Sequence, residues 1–229
     1  MNYFILGTDT GVGKTVLSLL FMKYFFLNGD NPFYFKPFQT GCTTPQSPDS
    51  DARFIYENTR ELHGKDPAES VLYCFSQPKA PYFASKDAEK TVDPRKVHAF
   101  IREKEAVHKT LIIEAAGGVF VPVARGCQII DLIEDAKATP VIAARAGLGT
   151  INHTLLTIHA LKMKGYEKPA VVFIDRENTD PAMIRENMDA VEEFSGIRVS
   201  GTIGCLTDFT KPTSASLDII ADVVQWFSK

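Results

Sequence analysis

The segment Gly7-Thr8-Asp9-Thr10-Gly11-Val12-Gly13-Lys14-Thr15 constrains this chain more than any other. It follows a short apolar run at residues 3–6 and precedes a helical run at 14–27 that is apolar on most sides. A glycine-rich turn between strand and helix points backbone N–H groups at one spot, where the helix N-terminus adds partial positive charge. Phosphate oxygens suit that spot. Lys14 would neutralise them, and the Thr15 hydroxyl would face a magnesium ion. The spacing GxxxxGK[ST] asks for glycine where this chain has Thr8, with Gly7 one place too early. The formal net charge is -3, so attraction for phosphate must be local, and neither nucleic acid nor an anionic membrane is expected as partner.

Alternation of short β-branched or aromatic runs with helical segments continues along the chain. Strands are expected at 33–35, 111–113, 141–144 and 171–174, each an apolar run of the kind buried on both faces in a parallel sheet. Helices are expected at 151–164, 181–194 with Asp180 capping, and 217–227. Asp93-Pro94 should open another, reaching about residue 107. The pattern implies an α/β fold, a doubly wound, mostly parallel sheet flanked by helices. With 229 residues, a single domain spanning 1–229 is expected. Residues 41–92, rich in Pro, Ser, Thr, Asp and Lys, are read as an irregular insertion too polar for a sheet core. It should carry a short helix from Asp51 and shape a site. The N-terminus resembles a strand rather than a secretory leader, and no run approaches the roughly 18 apolar residues of a membrane span. Four scattered cysteines form no CxxC pair, which favours reduced thiols and a cytoplasmic location.

Further chemistry gathers where strands end. Glu114 closes the 111–113 run and precedes Ala115-Ala116-Gly117-Gly118, residues small enough to admit phosphates. Ligands of open parallel sheets bind at such carboxyl ends, so Glu114 is a metal and phosphate candidate. Magnesium on a nucleotide takes only one or two protein carboxylates, and Asp49-Ser50-Asp51 offers two alternatives for the second. Lys36, directly after the second strand, would join Lys14 in stabilising a phosphoryl group and an anionic acceptor. The five histidines show neither HxH nor HExxH spacing.

Taken in order, Gly7-Thr8-Asp9-Thr10-x-Val12-Gly13-Lys14-Thr15, Lys36-Pro37-x-x-Thr40-Gly41, Asp51-Ala52 and Glu114-x-Ala116-Gly117-Gly118 resemble the dethiobiotin synthetase family of P-loop enzymes. Pro140-Val141-Ile142 through Gly147-Leu148-Gly149-Thr150-Ile151-Asn152-His153 is similar to a later segment of that family. The resemblance implies a cyclo-ligase that takes 7,8-diaminopelargonate, CO2 and ATP to dethiobiotin, ADP and phosphate. A carbamate forms on one amine, is phosphorylated, and is closed into a cyclic urea by the second amine. It implies magnesium on Thr15, Asp51 and Glu114, and catalysis by Lys14 and Lys36. The nucleotide would lie on Thr10, Gly11, Val12, Gly13, Lys14, Thr15 and Val16, on Asp51, and on Glu114, Ala115, Ala116 and Gly117. Asp175 and the backbone of Gly204, Cys205 and Leu206 would meet the nucleoside. Lys36 and Thr40 would hold the substrate, with its carboxylate on Gly149, Thr150, Ile151 and Asn152 across a homodimer interface.

The chain departs from that family at three places. Gly11 replaces an acidic residue, Ala115 replaces a glycine, and Ile174 stands where an asparagine before Asp175 reads adenine. Base recognition by backbone alone would be looser, so other nucleoside triphosphates could serve. Competing readings are a dimerising partition or division ATPase, which calls for a lysine where the loop has Asp9-Thr10, and an amidotransferase with a further glutaminase domain. A nucleotide-binding module without catalysis is a third. Diamine-dependent turnover separates them.

Overall fold

In the computed structural model, which describes residues 1–227, seven parallel strands form one sheet. The final two residues of the expected 1–229 domain lie outside the described ones. The sequence of elements begins β1 (Asn2–Gly7), α1 (Lys14–Leu27), β2 (Phe33–Thr40), α2 (Asp51–Asn58), β3 (Val71–Phe75), α3 (Pro81–Asp87) and α4 (Pro94–Glu105). It continues with β4 (Leu111–Gly118), a hairpin of β5 (Pro122–Ala124) and β6 (Cys127–Gln128), α5 (Asp131–Asp135), β7 (Ala138–Arg145) and α6 (Thr150–Met163). β8 (Ala170–Ile174), α7 (Pro181–Ser195), β9 (Val199–Ile203) and α8 (Ser214–Trp226) complete it.

The sheet order is β3-β2-β4-β1-β7-β8-β9, so the chain winds out from β1 in both directions. β1 shows why both faces must be covered. Tyr3 and Ile5 are buried against α1 on one side, and Phe4 and Leu6 enter the core on the other. Successive side chains of a strand point to opposite faces, and here neither face meets water. α1, α2 and α8 cover the first layer; α4, α5, α6 and α7 cover the second. Helix starts follow local chemistry: Asp93 accepts from Arg95 N, and Asp180 accepts from Ala182 N, each before a proline.

Several expectations need correction. Residues 41–92 are not merely irregular, because β3 lies among them and forms the sheet edge beside β2. An edge strand is covered on fewer sides, so its residues are mostly half-buried and no continuous apolar run marks it. The second strand also does not stop at residue 35. β2 pairs with β4 through Phe33, Tyr34 and Phe35, then changes partner, with Lys36 opposite Val71 of β3. Lys36 and Thr40 therefore sit within a strand, and so does Glu114, because β4 continues past residue 113 to Gly118. β9, whose run Val-Ser-Gly-Thr-Ile has a glycine at its centre, forms the other edge and was not expected from its pattern.

Candidate active site

The phosphate loop connects β1 to α1 at the carboxyl edge of the sheet, and Thr8 N donates to Ala143 O of β7 to anchor it. Gly13 caps α1 in the left-handed region with φ 98° and supplies no side-chain cap. The first-turn N–H groups thus remain available to an anion. A Cβ on Gly13 would stand 2.7 Å from Ile174 Cγ2. At Gly7 a Cβ would lie 2.7 Å from Asp9 O and 2.8 Å from Lys14 Nζ. That close approach explains the early glycine: Lys14 folds back over Gly7 and donates to Asp9 O at 2.9 Å. Burial, with Lys36 nearby, pushes the Lys14 ammonium down to about 8, against the opposing pull of Glu114, Asp51 and Asp9. Phosphate would restore the counter-charge that burial removes.

Beneath the loop four elements deliver one polar cluster. Thr15 Oγ1 lies 2.9 Å from Asp51 Oδ1 and 2.9 Å from Glu114 Oε1. Lys36 Nζ lies 2.8 Å from Asp51 Oδ2 and 2.7 Å from Glu114 Oε1, and donates to Ala115 O at 3.2 Å. Tyr34 Oη donates to Glu114 Oε2 at 2.8 Å. Gln39 Oε1 accepts from Asp51 N at 3.0 Å, and Ser50 caps α2 by accepting from Arg53 N. Burial alone would lower the Lys36 pKa and raise that of Asp51. Their mutual pairing reverses both, so Lys36 sits above its ordinary value and Asp51 below it. Lys36 thus serves as counter-ion to buried Glu114, whose charge must be neutralised there, and to the partly exposed Asp51. Of the two aspartates that line the cleft, Asp51 is the one hydrogen-bonded to Thr15.

The cluster fits a small divalent cation. Three oxygens converge, yet the Thr15 hydroxyl has one proton for two carboxylate oxygens. All three are hard donors, as magnesium prefers. Among the described residues no group of three or more His, Cys, Asp or Glu could hold a metal by itself. Remaining ligands would have to be phosphate and water.

A cleft of about 790 Å³ opens over this cluster. It brings together Thr10, Gly11, Gly13, Lys14, Thr15, Val16, Lys36, Thr40, Asp51, Glu114, Ala116 and Gly117. Val12 and Ala115 point into the two core layers, leaving their backbones for the site. Other expected residues stand apart from it. Asp175 accepts from Thr179 N at 3.1 Å, from Thr179 Oγ1 at 3.0 Å and from Glu177 N at 3.3 Å. Its carboxylate therefore closes its own loop, beside a second cavity of about 370 Å³. Ile174 is buried beside Gly13. Gly204 and Cys205 are exposed, and Leu206 packs partly on the α1 layer. Gly149 and Asn152 are exposed at the start of α6, Ile151 is half-buried, and Thr150 is buried beside Thr154.

Sequence reasoning missed Tyr34, Gln39 and Arg176. Tyr34 could have been found, since it lies two residues before Lys36 on the same strand and hence on the same face. Nothing local marks Arg176, whose Nη1 donates to Gly11 O at 2.9 Å across 165 positions of chain.

Known proteins share sequence and fold with this chain. The AAA domain family matches residues 1–213. The ATP-dependent dethiobiotin synthetase BioD of Hydrogenobaculum sp. is 36% identical over 203 residues, covering 86% of this chain and 88% of that protein. That of Methanococcus vannielii is 31% identical over 209 residues, covering 90% and 94%. That of Lawsonia intracellularis is 29% identical over 227 residues, covering 99% of each. Among solved structures, the MinC:MinD cell division complex of Aquifex aeolicus matches with TM-score 0.62 at 14% identity, covering 100% of this chain and 96% of that one. The cell division ATPase MinD of Pyrococcus furiosus matches with TM-score 0.58 at 13% identity, covering 99% and 100%. At those identities the likeness concerns the fold alone.

Proposed function

The chain belongs to the ATP-dependent dethiobiotin synthetase family, and from that membership we propose how its own residues divide the work. The enzyme is a carbon–nitrogen ligase that closes the cyclic urea of dethiobiotin at the expense of ATP. One observation carries the residue assignments: Thr15, Asp51, Glu114 and Lys36 meet directly under the phosphate loop, in a cleft that also contains Thr40.

The phosphate loop from Thr10 to Val16 binds the triphosphate through backbone N–H groups, and Lys14 neutralises it. Thr15, Asp51 and Glu114 would hold magnesium, which supplies charge neutralisation across the nucleotide phosphates. Lys36, poised above the two acids, faces the transferred phosphoryl group and the carbamate once other positive charge takes over part of its pairing. Thr40 holds the diamine. Catalysis then consists of positioning and electrostatic stabilisation, as phosphoryl transfer demands.

The Gly149–Asn152 turn lies outside the cleft formed by its own chain. It is preceded by Leu148, 90% exposed, and α6 beyond it carries exposed Leu156 and, at its far end, Met163. A homodimer would bury those side chains and present the turn's N–H groups to the substrate carboxylate of the partner. The nucleoside lies over Ile174 and the Gly204-Cys205-Leu206 backbone, with Arg176 at the rim, so ATP is accepted with loose base selectivity. The described residues include no helix long and apolar enough to cross a membrane, and the free cysteines accord with a cytoplasmic enzyme.

The deciding assay measures ADP release with ATP, magnesium and bicarbonate, with and without 7,8-diaminopelargonate. Release that requires the diamine and is abolished by Lys36→Ala is expected. Release indifferent to the diamine would overturn the substrate assignment.

A further inference from the structure

Glu114 has two oxygens with different surroundings. Oε1 faces Thr15 and Lys36, at 2.9 and 2.7 Å. Oε2 turns inward and accepts from the phenol of Tyr34 at 2.8 Å. Both side chains are 1% exposed, so water does not substitute for either. The strands make this contact inevitable. Tyr34 of β2 is paired with Ile112 of β4, and Glu114 is two residues on, along the same face. Without the phenol, Oε2 would be a buried acceptor lacking a donor, a costly state. The carboxylate would then turn to share both oxygens with Lys36, drawing Oε1 away from Thr15 and Asp51.

We propose that Tyr34 is a positioning residue that sets the rotation of the Glu114 carboxylate, keeping Oε1 on the Thr15–Asp51 side for the nucleotide's divalent cation. The inference rests on the reading of Thr15, Asp51 and Glu114 as cation ligands. Partners of ligating carboxylates act in this way generally, and their loss weakens metal affinity by about 10- to 100-fold. Lys36, which bridges Asp51 and Glu114 Oε1, is the donor toward which an unheld carboxylate would rotate.

The test measures manganese binding to the enzyme–ADP complex by electron paramagnetic resonance, without turnover, in wild type, Tyr34→Phe and Tyr56→Phe. Tyr56 is the matched control, for its buried hydroxyl pairs with Ser70 Oγ at 2.7 Å and with no carboxylate. Melting curves of both variants separate lost stability from lost affinity. Tyr34→Phe is expected to raise the manganese dissociation constant by about tenfold or more, while Tyr56→Phe leaves it unchanged. In turnover, excess magnesium should recover part of the Tyr34→Phe rate with the KM for diamine unaltered. An unchanged dissociation constant in Tyr34→Phe, or an equal rise in both variants, overturns the proposal. Wild-type dependence on the diamine judges the enzyme assignment separately, so the two can fail independently.

Discussion

The two ends of the proposed nucleotide site are built on opposite principles. Around Thr15, Lys36, Asp51 and Glu114, nearly every polar atom has a close partner within a buried cluster. Around Ile174, Asp175 and Gly204, one side chain is packed apolar, one serves its own loop, and the backbone beyond β9 is exposed. Phosphate and metal chemistry demands preorganised charge in a dry setting, where each interaction is strong. Base binding can rest on shape and backbone contact. The difference teaches where this enzyme should be rigid in its requirements and where permissive.

The largest effect should follow from breaking the buried end. Glu114→Ala leaves the Tyr34 phenol without its acceptor and Lys36 with Asp51 as its remaining counter-ion, and removal of one partner of a buried ion pair costs up to about 3–5 kcal/mol. Urea unfolding should show that loss, and turnover should fall by about 10²-fold or more. Retention of wild-type stability would mean the cluster is less tightly coupled than its distances imply. Lys36→Ala removes the shared counter-ion and should abolish diamine-dependent ADP release. Because Asp51 and Glu114 are then uncompensated, added magnesium should raise the melting temperature of this variant more than that of the wild type.

Gly13→Ala tests the seam between the two ends. Its Cβ would lie 2.7 Å from Ile174 at φ 98°, and strain of this kind costs about 1–3 kcal/mol. Nucleotide affinity, measured by calorimetry, should fall along with stability, and Gly13→Ala combined with Ile174→Val should recover part of both.

At the permissive end, Ile174→Asn should sharpen selection of ATP over GTP in competition assays with little change in maximal rate. Strict ATP selectivity in the unaltered enzyme would refute the loose reading of the base. The smallest effect concerns thiols. Burial, with Cys74 alongside, pushes the Cys42 thiol up to about 12, and burial also raises Cys74 and Cys127. At neutral pH only the exposed Cys205 should react quickly with a disulfide reagent. ATP should slow that reaction if the nucleoside covers the 204–206 backbone.

Much of this molecule was legible before any coordinates. The run Gly7–Thr15 dictates a phosphate loop because glycine tolerance of positive φ and the strand–helix context are local properties. Strands buried on both faces announce themselves as apolar runs, so β1 and β8 were expected at nearly their observed places, and of β4 and β7 only the central apolar stretch. Edges fared worse. β3 and β9 bury less, and their composition resembles loop.

Sequence alone determined the architecture, the phosphate loop and the set of chemically capable residues, because dihedral preference and hydrophobic period operate over a few neighbouring positions. Tertiary structure decided who partners whom. It brought Asp51 to Thr15, made Lys36 a counter-ion, joined Tyr34 to Glu114 across 80 positions, and pressed Ile174 onto Gly13. These outcomes depend on which strands become neighbours and on the need to neutralise charge where water is excluded, and no local pattern encodes either.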